Sequence, residues 1–279
     1  MESAADLLQG AVDCHVHTSP DVVPRKYDDL ELAREAGSAG LRAAVIKSHT
    51  GDTAARAALA SAHTSGTRIY GGVVLNESVG GLNPRAVEIS LQLGGKIVWM
   101  PTVDAAHHRF RTGKEGGISI LDARGELRSE IRDILRLVRE YEATLSTGHL
   151  SLEEIHRLAA AARQGKVAPL VVAHPELWIT FLSLEAQRDL LEKEVLFERC
   201  FYAGTLPPEE RTELAQTVSW VASLGAKSTI LASDLGQAHN IAPVEGLEAM
   251  IARFLEAGKT AADIRCMLHE NPSRVLRLS

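Results

Sequence analysis

The feature that most constrains this chain is an alternation. Short apolar runs rich in Val, Ile and Ala recur between longer stretches rich in Ala, Leu, Glu and Arg. Runs of about four to eight such residues read as buried strands, and the intervening stretches carry helical period and helical stop signals. Eight runs stand out, at 11–15, 41–47, 68–75, 96–100, 143–147, 169–173, 197–203 and 228–233, the seventh being the least regular. Asp28 or Asp29, Asp52, Ser129 and Ser183 stand where helix caps belong. Asn83 precedes a first-turn Pro84, Ser151 to Glu154 forms a capping box, and Gly94, Gly165 and Gly225 are stops. Pro207-Pro208 opens the helix that Gly225 ends, and two further helices follow, at about 244–256 and 260–269, with a closing turn at Asn271-Pro272.

Strands alternating with helices imply a parallel sheet covered by helices. Eight strands close a (β/α)8 TIM barrel, the α/β architecture predicted here. A doubly wound open sheet is the alternative, but no Gly-x-Gly-x-x-Gly follows the first run. One barrel accounts for all 279 residues, so a single domain over 1–279 is expected. The longest excursion follows the fourth strand. It carries His107, His108, Arg109 and Arg111, then two short runs around Asp122 to Gly125 that read as a small β-hairpin.

Composition removes several classes of function. The formal charge is −6, which argues against nucleic acid or an anionic membrane as partner, since both require a net basic face. No apolar run approaches the roughly 20 residues of a membrane span, and residues 1–10 lack the basic and apolar regions of a signal peptide. Three cysteines, Cys14, Cys200 and Cys266, form no Cys-x-x-Cys pair and fit a reducing compartment. A cytoplasmic protein acting on a small molecule is the expectation. Barrels of this kind often assemble, so a homo-oligomer is compatible with it.

The chemistry lies at the strand ends. His15 and His17, at i and i+2 on the first strand, point to one face. His149 ends the fifth strand, His174 the sixth and Asp234 the eighth. In a barrel all five converge on the C-terminal mouth. Neutral imidazoles with a carboxylate suit a divalent metal, zinc first and manganese as the alternative. Such an ion acidifies water and polarises a carbonyl, and an Asp beside it can take and return a proton. Cys14, between Asp13 and His15, is expected on the opposite strand face as a buried structural thiol.

On His15-Val16-His17, His149, His174 and Asp234, in that order, the sequence resembles the amidohydrolase superfamily of metal-dependent hydrolases. The ending His269-Glu270-Asn271-Pro272-Ser273-Arg274-Val275-Leu276 is similar to the last helix common in that superfamily. With the first strand at residue 11, the compact members are the nearer likeness. The resemblance implies a metal-activated water attacking an amide, ester, lactone or phosphoester, with Asp234 as metal ligand and general base.

One departure bears on the metal count. Two-metal members usually carry a carboxylated Lys or a Glu at the end of strand four, where this chain has Met100 to Asp104. Lys47 instead ends strand two, in phase with His49. Either the site holds one ion, or Lys47 bridges two from an unusual strand. We take one ion, with Lys47 and His49 as catalytic groups that orient the substrate. Asn76, Arg109 and Trp178 are the candidate substrate-binding residues. The expected reaction is hydrolysis of a small amide, lactone or ester carrying a carboxylate. Phosphoester hydrolysis and metal-dependent decarboxylation are the alternatives.

Overall fold

The first strand, β1 (Val12–His17), is parallel to β2 (Ala43–Lys47), with His17 opposite Lys47. These assignments come from a computed structural model, which describes residues 2–167 and 169–278; Met1, Ala168 and Ser279 of the expected span lie outside the described residues. The third strand, β3, runs as Arg68–Tyr70 and resumes as Gly72–Val74. Then follow β4 (Ile97–Trp99), β5 (Thr144–Ser146), β6 (Leu170–Ala173), β7 (Leu196–Cys200) and β8 (Thr229–Ala232). Every neighbouring pair is parallel.

Two irregular joins complete the ring. At Gly71 the third strand changes partner, its first half pairing with β2 and its second with β4. The buried Thr53 hydroxyl fills the break, accepting from the Gly72 N–H (2.9 Å) and donating to the Ile46 carbonyl (2.7 Å). Backbone polar groups inside a protein must be paired, and here a side chain substitutes for a strand. Between β1 and β8 the join is a bridge from Val16 to Leu235. Asp234 N–H donates to the His15 carbonyl and His17 N–H to the Leu235 carbonyl, each at 2.8 Å.

The ring encloses one layer of core. Val12, Cys14, Val45, Val74, Trp99, Val171, Leu196 and Ile230 pack together inside it. Val275 and Leu276, from the short C-terminal helix Asn271–Val275 and its cap, close the end remote from the site residues. Outside, helices bury the other strand faces. Val73, Val98, Leu145 and Val172 pack under the helices Pro84–Gln92, Ser129–Glu140 and Leu152–Gln164. This two-sided burial is why the strands read as continuous apolar runs rather than alternating ones.

The eight-stranded reading holds, and several boundaries move. The helix expected from Pro207 begins at Leu214. Two consecutive prolines supply no N–H and disfavour helix in the residue before each, so residues 207–212 turn instead. The hairpin after β4 shrinks to one antiparallel bridge, Leu121 to Leu127, and a helix, Ala106–Arg111, forms ahead of it. Cys14 is not on the face opposite His15. A bulge between Asp13 and Val16 lets Cys14 and His15 both face inward. Asn271-Pro272 does not turn the chain: a π-helical stretch, Cys266–Glu270, leads directly into the helix Asn271–Val275, and its wider i to i+5 spacing accommodates the proline that lacks an N–H.

Asn271 explains why that ending matters. Its buried amide donates to the Ala226 carbonyl (2.9 Å) and to the Thr229 carbonyl (2.7 Å), tying the plug helix to the start of β8. Asn271→Ala leaves two carbonyls without donors and is expected to cost about 1–3 kcal/mol. Urea unfolding checks this, and an unchanged midpoint would remove the tie from the account.

Candidate metal centre

The site is assembled at the seam between β1 and β8. The bulge in β1 is filled by Asp13, whose Oδ1 accepts from the His15 N–H (3.2 Å) and from the Ser233 N–H (3.0 Å). Asp13 therefore shapes the strand and staples it to β8. On the inward face this leaves His15 and His17 beside Asp234, which lies just past β8. Asp234 Oδ1 is 3.0 Å from His15 Nε2 and 3.1 Å from His17 Nε2.

Asp234 and His174 share a second property. Their φ angles are +52° and +28°, in the left-handed region that costs a non-glycine residue roughly 1–3 kcal/mol. Both occur where a strand ends and the side chain turns into the mouth. Gly148 (φ +54°) makes the corresponding turn after β5. A Cβ there would lie 2.2 Å from the Met100 carbonyl oxygen, so glycine is required for His149 to follow.

The histidines form a ring of rings. Centroids are 5.3 Å apart for His15 and His17, 5.9 Å for His15 and His174, and 4.9 Å for His149 and His174. His49 joins at 5.0 Å from His17. His15, His17, His149, His174 and Asp234 are all buried, and His49 is half-buried. Lys47, 1% exposed, places Nζ 3.0 Å from His15 Nε2 and over the Trp99 ring.

Burial sets the protonation. It pushes the His17 imidazole down to about 4 and that of His174 to about 3, against opposition from Asp234. Burial, with Lys47 and neighbouring imidazoles, holds His49 and His149 well below the usual histidine range. Burial raises the Asp234 carboxyl, but the charges and hydrogen bonds of His15 and His17 outweigh it and hold it well below its ordinary value. Neutral imidazoles with free lone pairs, beside an ionised carboxylate, are the donor chemistry a divalent metal requires. Among the described residues, donor atoms of His15, His17 and Asp234 lie within 4.8 Å of one another, as do those of His15, Glu198 and Cys200. The residues present therefore fit a divalent ion.

The other sequence candidates divide. Lys47, His49 and Trp178 line a cavity of about 240 Å3 with His17, His149, His174 and Asp234. Asn76 is fully buried beside it. Its amide holds the His49 carbonyl and the Thr102 hydroxyl, and its carbonyl accepts from the Thr102 N–H, so it braces the loop that carries His49 rather than facing the cavity. Arg109 is directed away and pairs with Asp104 and Glu77. Besides Lys47, the cation that lines the cavity is Arg25, held by Asp21 at 2.7 Å.

Two residues of the site were not singled out from the sequence. Glu198 and Cys200 lie on the inward face of β7, the strand with the weakest pattern, and Glu198 Oε2 is 3.3 Å from His15 Nδ1. Their i, i+2 spacing was the available signal. His108, in the excursion after the fourth strand, has Nδ1 2.6 Å from His149 Nδ1. Its helix is braced across the mouth by His107 Nε2 to the Ile179 carbonyl (3.0 Å) and by Arg111 over Trp178 (5.6 Å).

The fold has many solved counterparts. An amidohydrolase from Pseudomonas aeruginosa superposes with a TM-score of 0.67 at 14% identity, covering 99% of this chain and 98% of that one. An organophosphorus hydrolase from Deinococcus radiodurans gives 0.63 at 16% identity, covering 99% and 94%. An amidohydrolase from Burkholderia multivorans, solved with bound zinc, gives 0.58 at 15%, covering 96% and 99%. The chain thus has the TIM-barrel fold of these proteins. No curated protein sequence matches it. A model described as a family of unknown function (DUF6282) matches residues 10–198, and the chain belongs to that family. The matched stretch contains all four metal-candidate histidines and Glu198, and stops before Asp234.

The imidazole shifts fix a pH dependence for the metal-free protein. His17, His174, His49 and His149 titrate lower when folded than the 6.5 of an exposed histidine, so below that pH the unfolded chain binds protons first and stability falls. Burial raises Asp13 to about 6, and His15, which burial lowers, is raised on balance by Asp234 and Glu198; both oppose the loss. Burial also lowers His107, His108, His156 and His269, so eight histidines act against Asp13 and His15 and the urea midpoint should drop between pH 7 and pH 4. A midpoint that rises over that range would contradict these assignments.

Proposed function

We propose that this protein is a metal-dependent hydrolase that holds one divalent ion, zinc first, at His15, His17, His149, His174 and Asp234. The observation that carries the reading is the ionised Asp234 carboxylate at 3.0 and 3.1 Å from two inward imidazoles, with two further neutral imidazoles across the same mouth. The zinc bound to the Burkholderia multivorans amidohydrolase, on the same fold, supports the choice of ion. When bound, the ion would supply a Lewis acid that polarises a carbonyl and acidifies water.

The chain's own groups do the rest. Asp234 accepts the proton of the attacking water at a carboxylate oxygen and returns it to the leaving group. His49 and Lys47 line the cavity and orient the substrate. His49 presents one ring nitrogen because Nδ1 is engaged by the Thr102 hydroxyl at 2.8 Å. Trp178, Leu177 and Ile179 wall the cavity and exclude water. A space of about 240 Å3 admits a small substrate, and Arg25 and Lys47 favour one that carries a carboxylate. Small amides, lactones and esters with that group are the substrates proposed.

The test is a panel of such compounds, with phosphoesters and carboxylic acids as comparison arms. Asp234→Asn should lower kcat by about 10²–10⁴-fold, and a chelator should abolish turnover that zinc restores. Release of CO2 without hydrolysis would make the protein a decarboxylase. Turnover that survives both Asp234→Asn and chelation would overturn the proposal.

A further inference from the structure

The residue behind His15 is a buried glutamate that the proposed chemistry does not use. Glu198, on the inward face of β7, is 1% exposed. Its Oε2 lies 3.3 Å from His15 Nδ1, on the side of the ring away from Asp234. The adjacent cation is committed elsewhere, since Arg199 turns outward to Glu176 and to the side-chain Oε1 of Gln187. A carboxylate inside a protein is costly unless it is paired, and His15 is the side chain that Glu198 contacts.

We propose that Glu198 is a positioning residue that fixes His15 with its proton on Nδ1, leaving the Nε2 lone pair to face the metal. A neutral imidazole carries one N–H. On Nδ1 that hydrogen is donated to Glu198. On Nε2 it would point at Asp234 Oδ1, 3.0 Å away, and leave a lone pair against the Glu198 carboxylate; an ion held by Nε2 and Asp234 together would take that hydrogen's place, and the ring's remaining proton then belongs on Nδ1, against Glu198. A second contact points the same way. The Lys47 ammonium, a donor only, stands 3.0 Å from Nε2 and requires an acceptor there. A carboxylate behind a ligating histidine raises the basicity of the ligand and holds its ring orientation, and its loss typically weakens metal affinity by about 10–100-fold.

The competing reading of the same atoms is a second ion between His15, Glu198 and Cys200, whose donors also lie within 4.8 Å. That arrangement would use both nitrogens of His15 as ligands, which requires the imidazole to lose its last proton. The positioning role asks for no such step.

The inference rests on the metal centre proposed above, and Co2+ binding separates the two. Wild type, Glu198→Gln and Glu198→Ala are titrated with Co2+ against a chromophoric chelator, with circular dichroism to confirm folding. The expected result is one Co2+ per chain in all three. Affinity should fall about 10–100-fold in Glu198→Ala and by less in Glu198→Gln, whose amide oxygen still accepts from Nδ1. Nitrogen-15 NMR of the histidines in the zinc-loaded protein should show the His15 Nδ1 proton hydrogen-bonded in wild type and lose that signature in Glu198→Ala. Unchanged affinity in folded Glu198→Ala and Glu198→Gln would overturn the positioning role and leave the metal centre standing. Two ions in wild type falling to one in Glu198→Ala would overturn it in favour of a Glu198 ligand. No Co2+ on wild type would remove the metal centre and this inference together.

Discussion

The structure depends on how β1 meets β8. A parallel barrel closes only if its first and last strands share backbone hydrogen bonds. Here that seam carries Asp234 N–H to His15 and His17 N–H to Leu235. The same four residues include three metal candidates, so closing the ring and building the site are one event. Asp13 is the fastener. Its carboxylate fills the bulge and bonds both strands, and the bulge turns His15 inward without displacing Val12 and Cys14 from the interior.

Beyond the seam, burial prepares the chemistry. Imidazoles removed from water lose their affinity for protons and keep their lone pairs. Asp234 behaves in the opposite sense because it lies between two imidazole edges. Lys47 contributes a positive charge among these donors, held against His15 and the Trp99 ring. The cluster is costly for the fold, and the left-handed backbone at His174 and Asp234 adds to that cost. Strain of this kind persists where the surrounding packing holds it, most often at functional sites.

Much of this was legible in the sequence. Eight apolar runs and their caps specify the barrel because burial on two faces leaves a continuous apolar signature. The order of His15, His17, His149, His174 and Asp234 at strand ends specifies the mouth, because the geometry of a parallel barrel sends every such end to the same side. The substrate residues were less legible. Arg109 carries the charge a carboxylate substrate would meet, yet Asp104 and Glu77 claim it, and a sequence does not tell which of several nearby cations finds an acid. Asn76 is a brace rather than a substrate contact, since its partners come from loops 26 and 27 residues away.

By itself, then, the sequence determined the architecture and the kind of donors at its mouth, because strand period and strand order are local and countable. Tertiary structure decided which nitrogen faces which carboxylate. It set Glu198 behind His15, His108 against His149 and Arg25 in the cavity in place of Arg109. Those pairings depend on one bulge, two left-handed residues and the angle at which β7 meets its neighbours. None of these leaves a periodic trace, because each is fixed by contacts between residues far apart in the chain.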